Sequence, residues 1–522
     1  GATEFEIEGA DGGMQTVGTE SSTGITVPLG DETSNTVDDN ADGNNGRSVG
    51  RNAIAGDVRI DASAVTSIPE NASTLTVGNN NAGSLTLGDG ATHIFNADNM
   101  NEISVAEQTG SAGTLQIVGE GTALVTEGSP SSIQVGPGGS GALTISAGGT
   151  VDIDSGATPS ATFAQQEGSS ATISVTGNGS EFLVQGSTDA SAGILKLGQS
   201  GSADMVISQG GRVESLFANV GSSASSGSSV TVDGAQSTLQ LDGFDPESRF
   251  GGFLTVAEES RGYLTVENGG SVRMSTTEGS EPGFEVGEGQ GGDGTAVIDG
   301  ENSSITVNND SQTGTGFAAG YVTIGNEGGV GEVIVRDGAN FANDPQGLTF
   351  IGGSFPDRTN PGTEGSVMVT GNGSSFDGGG ALIIGGGYAD GEAVLDQPGI
   401  GLVTVEDGAS LSAGQAENDG ETDIFVGNNG SLQVASGATL TGDVETGAGG
   451  VFDPGNSPGL AIVQGDFEAR GRTTFELDGT EDGEFDQIDV AGDASLGGDT
   501  TFDIGGGFTP ETGDAFTIVE AD

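Results

Sequence analysis

The side chains of this chain that could do chemistry are few in kind, and most are carboxylates. Asp38-Asp39-Asn40-Ala41-Asp42-Gly43 sets oxygen-bearing groups at Asp38, Asn40 and Asp42. These are the first, third and fifth positions of a calcium loop, ahead of a glycine that permits its sharp turn. The twelfth position of such a loop supplies a bidentate Glu, and here it is Val49. The stretch therefore reads either as a Ca²⁺ site on Asp38, Asn40 and Asp42 or as an acidic, flexible loop. Gly291-Gly292-Asp293-Gly294 begins like a Gly-rich calcium nonapeptide but continues into Thr295-Ala296-Val297 and is not repeated.

His93 is the single histidine, so a Ser-His-Asp triad could be built only around it, and no nucleophile elbow lies nearby. Paired carboxylates can hydrolyse polysaccharides without histidine, whereas elimination needs a basic residue in the groove. Arg212, Arg261, Arg273 and Arg336 are scattered along the chain. The expectation is a chain that is not an enzyme, with a polysaccharide-active β-helix enzyme as the third reading of its function.

Whatever these groups do, a repeated framework must position them. Gly141-Ala142-Leu143-Thr144-Ile145 is followed by Gly148-Gly149-Thr150-Val151, and Gly401-Leu402-Val403-Thr404-Val405 by Gly408-Ala409-Ser410-Leu411. Apolar residues two apart share one face of a strand, and the glycines allow turns where a side chain would clash. A third strand precedes the pair and ends in Gly, as in Val322-Thr323-Ile324-Gly325 and Leu382-Ile383-Ile384-Gly385. Three short strands per unit, with connections of variable length, predict an all-β chain folded as a right-handed parallel β-helix, a β-solenoid, with insertions on its turns. The insertions are expected at Ser187–Ala192, Ser222–Ser229, Asp245–Phe250, Asp310–Phe317, Ser354–Glu364 and Ala413–Thr422. Phe341, Phe376 and Phe425 are expected to fill the core.

Residues 1–56 read as a polar N-terminal arm or extension, residues 57–445 as the solenoid with its loops, and residues 446–522 as a C-terminal β unit that caps the open end. The last begins at a turn fixed by two prolines, Asp453-Pro454-Gly455-Asn456-Ser457-Pro458-Gly459.

Composition narrows the partners. Twelve Lys and Arg stand against 76 Asp and Glu, a formal charge of −64, which disfavours nucleic acid and anionic membranes. No stretch is apolar and long enough to predict a transmembrane segment. Cys is absent, which a fold held by stacked coils tolerates. Neither a basic leader nor a signal-type apolar run opens the numbering, so the expectation is an already processed protein. Trp is absent and Tyr numbers three against 22 Phe, a poor set for stacking on sugars.

The phrases Gly-x-Leu-x-Val and Gly-Ala-x-Leu, with Pro454–Gly459, Phe485-Asp486-Gln487-Ile488-Asp489-Val490 and Gly513-Asp514-Ala515-Phe516 at the end, resemble the passenger domains of bacterial autotransporters and related exported β-helix surface proteins. The resemblance implies a secreted or bacterial cell-surface location and an autochaperone-like closing segment at 446–522. The expected function is that of an extracellular structural protein, self-assembling through its solenoid ends or N-terminal arm as a filament or surface-layer subunit. The alternative is an adhesin that binds a cell-surface or glycan ligand through its loops.

Overall fold

The computed structural model describes residues 5–8, 14–17, 25–29, 33–37, 46–49, 57–61, 74–78, 82–88, 90 and 92–97. From 101 to 521 it describes everything except 129–130, 156–158, 187–192, 224–226, 244–249, 277–279, 310–318, 354–360, 390–391, 395–397, 415–422, 436, 456–457 and 506. Two compact units are formed, one from residues 1–254 with 270–278, the other from 255–269 with 279–522.

Both units are built from one coil plan. In the first unit Ser131–Val135, Ser140–Ser146 and Thr150–Ser155 are the successive strands of a coil, the first two ending at turns that contain Gly136 and Gly148. Each strand pairs in parallel with its counterpart one coil on, so that Ile133 faces Ala161, Leu143 faces Ile173 and Val151 faces Phe182. In the second unit Tyr321–Asn326, Val330–Arg336 and Asn340–Ala342 repeat the plan, and Val333, Val367 and Val403 form one inward column. The chain is a parallel β-helix. We call the sheets second, first and third in the order the chain visits them within a coil, the first being that of Ser140–Ser146.

Alternation drives the packing. Leu143 and Ile145 are fully buried while Ala142 and Thr144 face outward, as a period of two requires. Phe341 and Phe376 fill the core as expected, both 0% exposed. Phe425 does not. In the strand Ile424–Val426 the inward pair is Ile424 and Val426, so alternation turns Phe425 to the outer side, where it is only half-buried.

The connection from the first sheet to the third holds a regularity longer than one coil. In alternate coils it reads Gly-x-x-Ser/Thr: Gly119 to Thr122, Gly177 to Ser180 and Gly234 to Ser237 in the first unit, Gly300 to Ser303 and Gly371 to Ser374 in the second. Each buried hydroxyl donates to the carbonyl four residues back and accepts the N–H of a glycine in the preceding coil. Ser180 bonds Thr176 at 2.8 Å and Gly148 at 3.0 Å, and Ser303 bonds Asp299 at 2.6 Å and Gly269 at 3.0 Å. The intervening coils turn through a left-handed residue and a glycine, as at Ala147-Gly148 and Asn268-Gly269. The two turn types latch together, so the structural repeat is two coils. Ser303→Ala should destabilise the second unit by about 1–3 kcal/mol, because it leaves the Gly269 N–H buried without an acceptor, while Ser303→Thr should keep most of the stability; thermal unfolding of both variants checks this.

The connection from first to third sheet is three or four residues long in the described coils from Ala112–Val118 to Gly430–Val434, and it lengthens in the last three, where it spans 454–459, 478–486 and 505–518. Before those coils the long connections border the second sheet, leading into it or out of it. The expected insertions fall there, although strands reach further into three of them than expected: Ser228–Asp233, Phe250–Val256 and Glu364–Thr370 begin within their limits. Parallel pairing reaches back to Gly46–Val49, which lies inside the segment 1–56 and pairs with Thr74–Val77. Ahead of it, Phe5–Glu8 pairs antiparallel with both Met14–Val17 and Asp57–Asp61.

Candidate functional site

Asp38, Asn40 and Asp42, the expected calcium ligands, lie outside the described residues. His93 holds a place in the strand Thr92–Ala97, opposite Leu124, and its side chain is likewise outside them. No group of three or more His, Asp or Glu able to hold a metal ion occurs among the described residues. Arg212 pairs with Glu181 at 3.5 Å and with Glu214, Arg261 with Asp293 at 3.3 Å, and Arg336 with Asp299 at 2.8 Å. Except for Glu214, these partners stand on the neighbouring strand of the same sheet, and Glu214 lies on Arg212's own strand. The three arginines are thereby tied to the outer walls as links between coils.

The residues that set this chain apart gather toward its C-terminal coils, and backbone geometry explains their types. Asp423, Asp443, Asp466 and Asp493 each lead into a strand of the second sheet. The carboxylate of one accepts the backbone N–H of the next: Asp443 N to Asp423 Oδ2 at 3.0 Å, Asp466 N to Asp443 Oδ1 at 2.8 Å, Asp493 N to Asp466 Oδ1 at 2.8 Å. A Cβ on the glycine preceding Asp443, Asp466 or Asp493 would lie about 3 Å or less from the carboxylate stacked beneath it, which is why the sequence reads Gly-Asp there.

Asp486 does comparable work one connection away. It is fully buried, and its two oxygens accept the N–H of Gly459 and of Glu476, each at 2.6 Å. It thereby pins the proline turn to the strand Arg472–Leu477. Burial first, and then the charge of Asp486, push the carboxyl of Asp453 up to about 6; Asp486 and Asp377 are also raised, mainly by burial. A carboxyl raised on folding binds its proton more tightly in the native state. Its stabilisation is complete below the unfolded value near 4 and is lost as pH rises through about 6. The second unit should therefore melt at a higher temperature at pH 5 than at pH 7.5, and Asp453→Asn should flatten that dependence. An unchanged slope in the variant would remove Asp453 as its cause.

The stretch from 446 onward continues the three sheets. Asp499–Ile504 pairs with Arg472–Leu477 in the first sheet, Ala494–Leu496 with Phe467–Ala469 in the second, and Val519–Ala521 with Gln487–Val490 in the third. The register places Phe502 over Phe475, Ile504 over Leu477 and Leu496 over Ala469. Phe475, Leu477 and Ala469 are at most 5% exposed, whereas Phe502 is 51%, Ile504 50% and Leu496 37% exposed. The segment between the last strands packs Phe516 on Phe485 and Phe508 at ring separations of 5.3 and 6.1 Å, and it leaves Phe502 and Ile504 open. As described, residues 446–521 continue the three sheets of the solenoid. The exposure of Phe502 in the last described coil has no sequence signature, because it reads like any core Phe.

The outer walls offer two further surfaces. In the first unit the first sheet presents rows of hydroxyls, Ser170, Thr172, Ser174 and Thr176 beside Ser140, Thr144 and Ser146. In the second unit the same sheet carries exposed apolar residues, with Tyr263 at 44%, Ile400 at 53% and Met368 at 40%.

No protein-family model matches the chain, and no curated protein matches it. Among solved structures the chain is similar to a TibA fragment, residues 55–350, crystallised in a TibC-catalysed, hyper-glycosylated form; the identity is 14%, the match covers 88% of this chain and 97% of that one, and the TM-score is 0.31.

Proposed function

We propose that this chain is an exported, non-catalytic β-solenoid that works as a structural protein outside the cell and associates with copies of itself. The observation that carries the reading is an apolar patch on the outer wall of the first sheet in the second unit. Tyr263, Val330, Met368, Ile400 and Leu402 point outward there and are 38–53% exposed, and Met368 stands between Ile334 and Thr404 on the neighbouring strands. An exposed apolar patch rimmed by polar residues marks a surface that another chain covers. The net charge of −64 opposes contact elsewhere and leaves this patch to select its partner.

Light scattering on the purified chain across salt concentrations tests the reading. At 0.1 M salt the Debye length is about 10 Å and at 1 M about 3 Å, so association should tighten as salt screens the acidic walls. Ile400→Asp with Leu402→Asp, both on the outer face, should leave the chain folded and monomeric under the same conditions. A wild-type chain that stays monomeric at all salt concentrations would defeat the proposal.

The second reading is an adhesin. It is favoured by the placement of the long connections of the second unit that precede Ile424–Val426, which border the second sheet and so supply loops for a ligand-binding surface there. Deleting residues 310–318 and 354–360 should then abolish attachment to cells or glycans and leave self-association intact.

A further inference from the structure

We infer that the folded chain breaks its own peptide bond between Asp453 and Pro454 in mild acid, with the Asp453 carboxyl as nucleophile and proton donor. This goes beyond the proposed self-association and does not depend on it. The peptide bond before a proline is a tertiary amide. An aspartate beside it can close a five-membered ring on its own main-chain carbonyl while the proline nitrogen takes up a proton and leaves. Two such bonds lie among the described residues, Asp344–Pro345 and Asp453–Pro454, and the fold treats them differently. Asp344 is buried, and its two carboxylate oxygens accept the N–H groups of Asn309 at 3.0 Å and of Gln346 at 2.9 Å. Attack by either oxygen would have to break one of these bonds.

Asp453 closes the strand Val451–Asp453 beside Gln433 of the preceding coil, and Pro454 behind it is buried. Gly455 packs so tightly on the carboxylate of Asp486 that a Cβ there would overlap it. Asp486 is itself fixed by the N–H groups of Gly459 and Glu476. Burial first, then the charge of Asp486 and more weakly that of Glu476, push the Asp453 carboxyl up to about 6, against the Gly455 N–H and the charge of Arg472. Asp453 thus keeps its proton at a pH where an ordinary aspartate has lost it. The step needs no partner but water. A carboxyl oxygen of Asp453 attacks the carbonyl carbon of the same residue and forms a cyclic anhydride. The C–N bond to Pro454 breaks, and the carboxyl proton ends on the proline nitrogen. Water then opens the anhydride, which restores the side chain and leaves a new carboxyl group at residue 453.

The two pieces stay joined after the cut, because strands on either side of it pair in all three sheets. Val451–Asp453 pairs with Arg472–Leu477, Val444–Thr446 with Phe467–Ala469 and Thr439–Thr441 with Leu460–Gln464, and Phe452 packs on Phe467 at 4.8 Å. A nicked chain therefore keeps its mass in native solution and separates only when denatured.

Mass spectrometry of the purified chain held at pH 5 and at pH 8 tests this. At pH 5 residues 1–453 and 454–522 should accumulate as two products whose masses sum to that of the chain plus one water, with Asp344–Pro345 intact in the same sample. At pH 8, where Asp453 is ionised, the rate should be lower by more than about tenfold. In urea at pH 5 it should fall by about tenfold, because an unfolded Asp453 has lost its proton. Pro454→Ala keeps the carboxyl but offers a secondary amide and should stop the cut, as should Asp453→Asn; thermal unfolding checks that both variants are folded. No cut after residue 453 would overturn the inference. So would an equal rate at pH 8 or in urea, equal cutting at Asp344–Pro345, or a Pro454→Ala chain cut as fast as the wild type.

Discussion

Gly352→Ala is expected to leave little soluble, folded second unit. Gly352 sits at φ 64°, and a Cβ there would lie 1.7 Å from the carbonyl oxygen of Ile400 in the next coil. A left-handed alanine costs about 1–2 kcal/mol by itself. The contact adds more, because the obstacle is backbone held in the ladder and cannot swing aside, so a total above about 4 kcal/mol is expected. Gly362 isolates that second contribution. Its φ is 93°, and a Cβ would meet nothing within 4 Å, so Gly362→Ala should cost only about 1–2 kcal/mol. Thermal unfolding and soluble yield of the two variants decide the matter, and equal losses would show that close approach of coils is not what fixes glycine at this corner.

The second large effect is expected at Phe341. Its ring lies 4.4 Å from that of Phe376 at an interplanar angle of 9°, and 5.9 Å from that of Phe284. Phe341→Ala should cost about 3–5 kcal/mol, the transfer of the ring plus a cavity that stacked coils cannot collapse. In a quasi-one-dimensional fold each coil leans on its neighbours. Amide exchange should therefore accelerate in Ser304–Asn309, Asn340–Ala342 and Ser375–Asp377, while strands several coils away keep their protection. A loss below about 1 kcal/mol, or acceleration spread evenly through the unit, would contradict this stacking account.

Much of the fold was legible in the sequence because its strongest signal is local. A pair such as Leu143 and Ile145 between glycines declares a strand with one buried face, and three such phrases in a row declare a coil. The spacing of single coils concealed the longer repeat. Gly177 to Ser180 and Gly300 to Ser303 differ by only one residue from the Gly-Gly and Gly-Ala turns between them, and the latch exists only once the coils stack. Phe425 was misread because a strand of three residues offers two alternation phases, and the stacking of Ile424 on Leu382 and Val444 selects the other one. The arginines were weighed as candidates for a catalytic groove; a sequence does not show that Arg336 lies beside Asp299, 37 residues away. The apolar patch on the wall was the least legible feature, since Met368 and Leu402 read like any apolar residue beside a core pair until the phase of their strands turns them outward.

The most direct test of self-association is the mass of the wild type beside that of Ile400→Asp with Leu402→Asp as protein concentration rises at 1 M NaCl. The wild-type mass should climb above that of one chain, while the variant should keep the mass of one chain and the thermal unfolding of the wild type. A wild type that keeps the mass of one chain at every concentration, or a variant that associates as the wild type does, would contradict the account.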